Sequence, residues 1–194
     1  MTARFDFDVI AAWIEPGERV LDLGCGDGSL LRQLHQTKQV HGYGVDIAPA
    51  NVLACVANDV NVIQSDLEQG LADFEDNFFD HVVMSLSLQT VRQTVPLLHE
   101  MLRVGHEAIV SFPNFGHWQN RDAIAAGRMP VSEALPYQWY DSPNVRFFTI
   151  ADFEALCAQS GIVIRERRAF DGDQPVTDDP NRNATLAFFR LGRA

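Results

Sequence analysis

The chain has 194 residues, an apolar share of 46% and a formal net charge of −11. That length suits one domain with a full hydrophobic core and is short for two. An acidic surface repels polyphosphate, so we expect no nucleic acid as substrate or partner. No apolar run approaches the roughly 20 residues that span a bilayer. The polar, acidic segment 1–8 does not predict a secretory signal, so we expect a cytoplasmic chain with no membrane contact.

The cysteines and histidines give no sign of a metal or disulfide framework. Cys25, Cys55 and Cys157 are far apart in the sequence and form no CxxC pair, which favours reduced thiols. The six histidines are scattered, with no pair at the i, i+4 spacing of a helical metal site. We therefore expect no metal.

Strands and helices are predicted to alternate along the first 112 residues. The chain opens with Phe5, Val9, Ala12 and Trp13 on one face of a helix. The predicted strands are 19–23, 40–47, 60–64, 79–85 and 107–112, and the predicted helices begin near Ser29 and cover 51–58 and 94–102. Short apolar strands alternating with amphipathic helices predict a mostly parallel sheet with helices on both faces.

The pattern changes after residue 150. A helix over 150–160 is predicted to end at Gly161, followed by strands 162–170 and 184–191. With no helix between them, these strands should pair as an antiparallel hairpin at one edge of the sheet. The prediction is an α/β fold, a three-layer αβα sandwich in one domain over 1–194.

A glycine-rich loop follows the first predicted strand. Asp22 is followed by Gly24, Gly26 and Gly28, and such alternating glycines let the backbone approach a ligand closely. A dinucleotide fingerprint would need glycine at position 29, where Ser29 stands. The loop instead resembles motif I of the class I S-adenosylmethionine (SAM)-dependent methyltransferases, which implies their Rossmann-like fold and a site for SAM or S-adenosylhomocysteine. A mere tight turn would need fewer glycines.

Two further acids follow the next two predicted strands. Asp46 ends the second strand, where a carboxylate can accept hydrogen bonds from both ribose hydroxyls. Asp66 follows the third strand, and the resemblance implies that it takes the adenine amino group while Ile47 and Leu67 pack on the ring. Taken alone, each acid is better explained as a helix cap or a solvated loop residue. Three acids at three successive strand ends favour one shared crevice.

The fourth predicted strand ends at Met84 and Ser85, which we place in the same crevice. The Asn/Asp-Pro-Pro-Tyr/Phe string of amino-group methylators is absent here, and no His or Glu offers an evident base. Methyl transfer from an activated sulfonium can run on proximity alone, so catalysis stays possible. The catalytic residues and the acceptor stay unknown.

Aromatic residues are concentrated in an insertion at about 112–149. We single out Phe115, Trp118, Tyr137, Trp139 and Tyr140. Such a segment can pack a small core of its own over the domain, close as a lid on the cofactor, or bind a protein partner, since Tyr and Trp are enriched at interfaces.

The strings 112–118, 128–131 and 135–144, together with 22–31 and 42–45, resemble the methionine biosynthesis protein MetW family over nearly the whole chain. The proline- and tryptophan-bearing strings are more specific than the glycine loop. The chain departs from the family pattern at 85–89, which reads Ser-Leu-Ser-Leu-Gln, and at Arg146, where a histidine is expected.

The resemblance implies a role in methionine biosynthesis as partner or activator of homoserine O-acyltransferase (the homoserine O-acetyltransferase type included). The chain contains no G-x-S-x-G nucleophile elbow, so acyl transfer by this chain alone is not expected. The competing hypothesis is a SAM-dependent small-molecule methyltransferase with an unknown acceptor.

Overall fold

The computed structural model describes residues 4–194, so the first three residues of the segment 1–8 and of the predicted domain lie outside it. The strands are β1 (Arg19–Leu23), β2 (His41–Asp46), β3 (Asn61–Gln64), β4 (Phe79–Ser85), β5 (Gly105–Pro113), β6 (Ile162–Asp171), β7 (Gln174–Pro175) and β8 (Leu186–Arg193). The helices are α1 (Phe5–Ala11), α2 (Ser29–Lys38), α3 (Pro49–Ala57), α4 (Thr94–Val104), α5 (Trp118–Ala125), α6 (Ile150–Gln159) and α7 (Pro180–Asn183).

The eight strands form one sheet in the order β3-β2-β1-β4-β5-β8-β6-β7. The first five strands are parallel, and β8 pairs antiparallel with both β5 and β6. The predicted fold class, including the antiparallel pair near one edge, is confirmed. The strand order reverses between β1 and β4, and open α/β sheets bind ligands at the carboxyl ends of the strands beside such a reversal.

The hydrophobic core has two halves, one on each face of the sheet. Helices α1 and α2 cover one face, burying Ile10 and Leu34, and α4 and α6 cover the other, burying Leu98 and Phe153. Strand β1 is buried on both faces because its side chains alternate between the two halves. The glycine loop is therefore attached to a rigid central strand.

Two segments differ from the sequence prediction. Helix α5 begins at Trp118, whereas the stops at Gly127 and Pro130 predict a short helix over 121–126. The loop between β6 and β8 contains the short strand β7 and the single-turn helix α7, which begins at Pro180, a residue whose fixed φ suits the first helical position.

Two surface properties bear on possible partners. Arg167 pairs with Glu154, and Arg168 lies 2.8 Å from Glu166, so each of these two arginines on β6 faces a carboxylate. Across residues 4–194, every helix is too short or too polar to traverse a bilayer.

Candidate functional site

The glycine loop connects β1 to α2 through three left-handed glycines. Gly24, Gly26 and Gly28 have φ of +72°, +57° and +75°. A Cβ at Gly28 would lie 3.0 Å from Val60 Cγ2 and 3.1 Å from Cys55 Sγ, whereas one at Gly26 would meet nothing within 4 Å. Gly28 thus allows close packing beneath the loop, and Gly26 leaves the space above it open.

Asp46 fixes the loop from the end of β2. Its Oδ2 accepts hydrogen bonds from the Gly26 N–H at 3.0 Å and from Asn51 Nδ2 at 3.1 Å, and its Oδ1 accepts from the Ala48 N–H at 2.8 Å. A carboxylate has about four lone-pair sites. Asp46 can therefore accept one further hydroxyl at Oδ1 without losing a present contact, while a second hydroxyl would compete with Asn51.

Asp22 is buried at the end of β1, one strand away from Asp46. Desolvation, together with the negative charge of Asp46, raises the pKa of Asp22 to about 7. The state in which both carboxylates are ionised is therefore destabilised, and a nearby positive charge would stabilise it. A cationic group bound in front of the loop would supply that charge.

Asp66 lies at the next strand end. Its Oδ1 accepts the Glu68 N–H at 3.0 Å and caps the short helical turn Leu67–Gln69. A backbone hydrogen bond from Ser65 to the Asp46 carbonyl holds this turn beside the end of β2. Ile47 is 61% exposed and Leu67 is partly buried against the core. Asp66 thus has the capping role that the sequence left open.

The two residues at the end of β4 have different surroundings. Met84 is completely buried in the core, so its side chain is turned away from any ligand. Ser85 Oγ lies 3.2 Å from Ser111 Oγ on β5. The structure thus places Ser85 at the sheet edge and leaves only the backbone of Met84 near it.

The turn 86–90, in which the sequence shows no catalytic signature, joins the loop to the aromatic insertion. Ser87 Oγ donates to the Leu23 carbonyl at 3.3 Å. A Cβ at Gly24 would lie 3.2 Å from Ser87 Oγ. At its other end, the Gln89 carbonyl accepts the N–H groups of Val145 and Arg146 at 2.9 and 3.0 Å. No sequence signal marks this connection, because each contact joins residues that are distant along the chain.

Cys25 and Cys55, distant in the sequence, are neighbours in the fold. Their sulfurs are 3.7 Å apart, and Cys55 Sγ also contacts the Gly26 carbonyl at 3.2 Å. Both are free, buried thiols, and desolvation raises the pKa of each. They pack the underside of the loop, where the absence of a side chain at Gly44 leaves room for Cys25.

The aromatic insertion begins at a buried anchor. The Asn114 side chain donates to the Ala184 carbonyl at 2.8 Å and accepts from the Gly116 N–H at 3.0 Å. Phe115 packs on Phe147, with ring centroids 5.2 Å apart, and Trp118 lies beside His117. The segment is thus attached to the domain at Asn114, while Phe147 and Trp118 remain 51% and 41% exposed.

The far part of the insertion faces solvent. Trp139 and Tyr140 are 73% and 72% exposed and lie edge to face. Tyr137 and Trp139 help to line a cavity of about 300 Å³ together with Phe115. A larger cavity of about 530 Å³ lies between the start of α4 and α6, away from the glycine loop. Within the part of the chain that the structure describes, no group of three or more His, Cys, Asp or Glu side chains is placed to hold a metal ion.

The sequence is similar to one protein family over nearly its whole length. The family model described as methionine biosynthesis protein MetW matches residues 4–191. The bifunctional methionine biosynthesis protein MetXA/MetW of Rhodopirellula baltica is 40% identical over 210 residues, covering 100% of this chain. This chain spans only 34% of that relative's length.

Solved structures share the fold at low identity. A putative methyltransferase of Haloferax volcanii, in complex with the Trm112 methyltransferase activator, has a TM-score of 0.72 at 19% identity and covers 97% of this chain and 89% of its own. The phosphoethanolamine N-methyltransferase 2 of Haemonchus contortus, with phosphomonomethylethanolamine and S-adenosylhomocysteine, has a TM-score of 0.68 at 17% identity and covers 97% and 52%.

Proposed function

Because this chain belongs to the methionine biosynthesis protein MetW family, we propose that it binds SAM at its glycine loop and acts as a partner of homoserine O-acyltransferase. The observation that carries the partner role is the MetXA/MetW relative, which is 40% identical across this entire chain, although this chain spans only 34% of its length. We take its MetXA part to be the acyltransferase. In that relative both parts belong to one polypeptide, as expected of two units that work together.

The residues of the glycine loop fit SAM. Gly26 leaves space above the loop, the free lone pair of Asp46 Oδ1 suits a ribose hydroxyl, and Asp22 and Asp46 together favour a cationic ligand. SAM carries both a sulfonium and an ammonium group. When bound, it would supply an activated methyl group, but the acyltransferase partnership does not require methyl transfer.

A partner that binds SAM can report the level of a methionine product to the pathway. The turn 86–90 supports such coupling, because Ser87 donates a hydrogen bond to the Leu23 carbonyl next to the glycine loop, and the Gln89 carbonyl accepts from Val145 and Arg146. A shift of the loop on ligand binding would therefore move the turn 86–90 and, through it, the aromatic insertion. SAM changes the partnership only if it binds the free and the docked states with different affinity.

We place this function in the cytoplasm, where free thiols such as those of Cys25 and Cys55 persist. We propose no nucleic acid, membrane or metal partner for it.

The partner role is tested by size-exclusion chromatography of this protein with the homoserine O-acyltransferase of the same organism, followed by acylation assays on the fractions. We expect a shared peak with raised acylation activity, and a change in that activity across a SAM titration. Separate peaks with unchanged activity would refute the partner role. A shared peak with no response to SAM would refute the reporting role alone.

The SAM site is tested separately by calorimetry with Asp46→Asn. Losing hydrogen bonds to a charged group weakens binding by about 1.5–3 kcal/mol, roughly 10- to 150-fold. Asp27→Asn is the matched control, since Asp27 lies in the same loop with its side chain in solvent. Equal SAM affinity in wild type and Asp46→Asn would show that the site is elsewhere.

The second candidate function is a SAM-dependent small-molecule methyltransferase. It is favoured by the Haemonchus contortus structure, in which a protein of the same fold is in complex with phosphomonomethylethanolamine and S-adenosylhomocysteine. Incubation with SAM and a metabolite extract discriminates between the two. Accumulation of S-adenosylhomocysteine, abolished by Asp46→Asn, would favour the methyltransferase.

A further inference from the structure

Four exposed apolar side chains of the insertion line one cavity. We call Met129, Val131, Tyr137, Trp139, Tyr140 and Phe147 the aromatic surface; each has about half or more of its side chain in solvent. Met129, Tyr137, Trp139 and Phe147 line the cavity of about 300 Å³ described above, and Tyr140 lies edge to face against Trp139. Isolated exposed apolar residues are ordinary, but a cluster around a hollow is typical of an interaction site.

The composition of this stretch differs from that of a solvated loop. Residues 134–145 contain a single charged side chain, Asp141, whereas charged residues make up 21% of the whole chain. Trp and Tyr dominate the energetics of protein interfaces, and charges are depleted at interface centres. The stretch therefore has the composition of an interface centre.

The aromatic surface is supported from below. Leu135 is buried, and Ser132 and Leu135 exchange backbone hydrogen bonds of 3.0 and 3.1 Å. The Gln89 carbonyl holds the far end through Val145 and Arg146. A partner would not have to order this backbone on binding, which lowers the entropic cost of association.

We propose that the aromatic surface is where homoserine O-acyltransferase docks, with an apolar group of the enzyme entering the hollow beside Tyr137 and Trp139. This inference rests on the proposed function for the identity of the partner. The MetXA/MetW relative carries the candidate partner in the same polypeptide as a counterpart of this entire chain. The strings 128–131 and 135–144, which carry the family resemblance, contain every residue of the surface except Phe147.

A second exposed apolar pair serves as the matched control. Leu53 and Val56 on α3 are 70% and 65% exposed, comparable with Trp139 and Tyr140. They lie on a regular helix and do not line the cavity of the aromatic surface. Replacing either pair with serine removes exposed apolar area without opening the core.

The test compares Trp139→Ser/Tyr140→Ser with Leu53→Ser/Val56→Ser in calorimetric titrations against the acyltransferase. Truncating residues at an interface centre should raise Kd at least about 30-fold, and the control should stay within about threefold. Unfolding curves in urea that match the wild type show that both variants are folded.

Each alternative outcome has its own meaning. If the wild type binds and the aromatic variant binds equally well, the docking surface is wrong and the partner role stands. If the α3 variant alone loses binding, the enzyme docks on α3. If the wild type fails to bind, the proposed function and the surface both fall. Light scattering of this chain alone shows whether the surface joins two copies instead; a dimer that the aromatic variant dissociates without losing acyltransferase binding overturns the proposal.

Discussion

Asp22 should make the free energy of unfolding fall as pH rises. Its pKa is about 7 in the native protein and near 4 in an unfolded chain. Between these values the native state binds more protons than the unfolded state, so stability decreases with rising pH. Each unit of pKa difference corresponds to about 1.36 kcal/mol, so three units give a loss of about 4 kcal/mol between pH 4 and pH 8.

Asp22→Asn removes this titration while keeping the shape of the side chain. The variant should match the wild type near pH 4 and exceed its stability by about 4 kcal/mol at pH 8, because the amide carries no buried charge. Urea unfolding curves at one-unit steps from pH 4 to pH 8 measure the difference. Subtracting the two proteins removes the contribution of every other titrating group.

Asp27→Asn gives a control of opposite sign. The hydrogen bonds of Ser29 lower the pKa of Asp27, so its ionised form adds stability above pH 4 that is lost as pH falls. Asp27→Asn should therefore lower stability at neutral pH. Parallel pH profiles for wild type and Asp22→Asn would refute the reasoning, since they would mean that Asp22 ionises at its ordinary pKa.

Three further predictions concern the loop and the insertion. If SAM binds beside Asp22, the wild-type affinity relative to Asp22→Asn should rise about tenfold from pH 6 to pH 8 as the carboxylate ionises, and a flat ratio in calorimetry would exclude that contact. Gly26→Ala should lower the free energy of unfolding by about 1–2 kcal/mol, the cost of a left-handed alanine. Gly28→Ala should lower it further, by up to ~3 kcal/mol, because its methyl group also meets Val60 and Cys55. Equal losses for the two variants in denaturant titrations would contradict the packing argument. Asn114→Ala should lose about 3 kcal/mol, because it leaves the buried Ala184 carbonyl and Gly116 N–H without partners, and a loss under about 1 kcal/mol would show that water replaces the amide.

The sequence predicted those parts of the fold that depend on local pattern. The bounds of β1 and β4 match the prediction residue for residue, because short, mostly apolar stretches mark buried parallel strands. The three strand-end acids also lie on neighbouring strand ends. Whether they bind a ligand is a matter for the SAM experiments above, since Asp66 caps a turn and Asp46 holds the loop.

The parts that could not be predicted depend on contacts between distant segments. Cys25 and Cys55 meet only because α3 packs against the loop over the gap at Gly44. The raised pKa of Asp22 follows from its burial next to Asp46. Neither the burial of Asp22 nor its closeness to Asp46 can be predicted from the residues that flank it. The same holds for the turn 86–90, whose partners come from β1 and from the end of the insertion.

The position of β8 has a consequence for how the chain acquires its structure. Strand β8 lies between β5 and β6, although the ribosome makes it after both. Until β8 emerges, the apolar strand β5 exposes an open edge, and β6 has no neighbour connecting it to the rest of the sheet. Such open edges recruit other chains during synthesis. A chain released before β8 should therefore aggregate, and chaperone demand should be highest in the interval between the synthesis of β5 and that of β8.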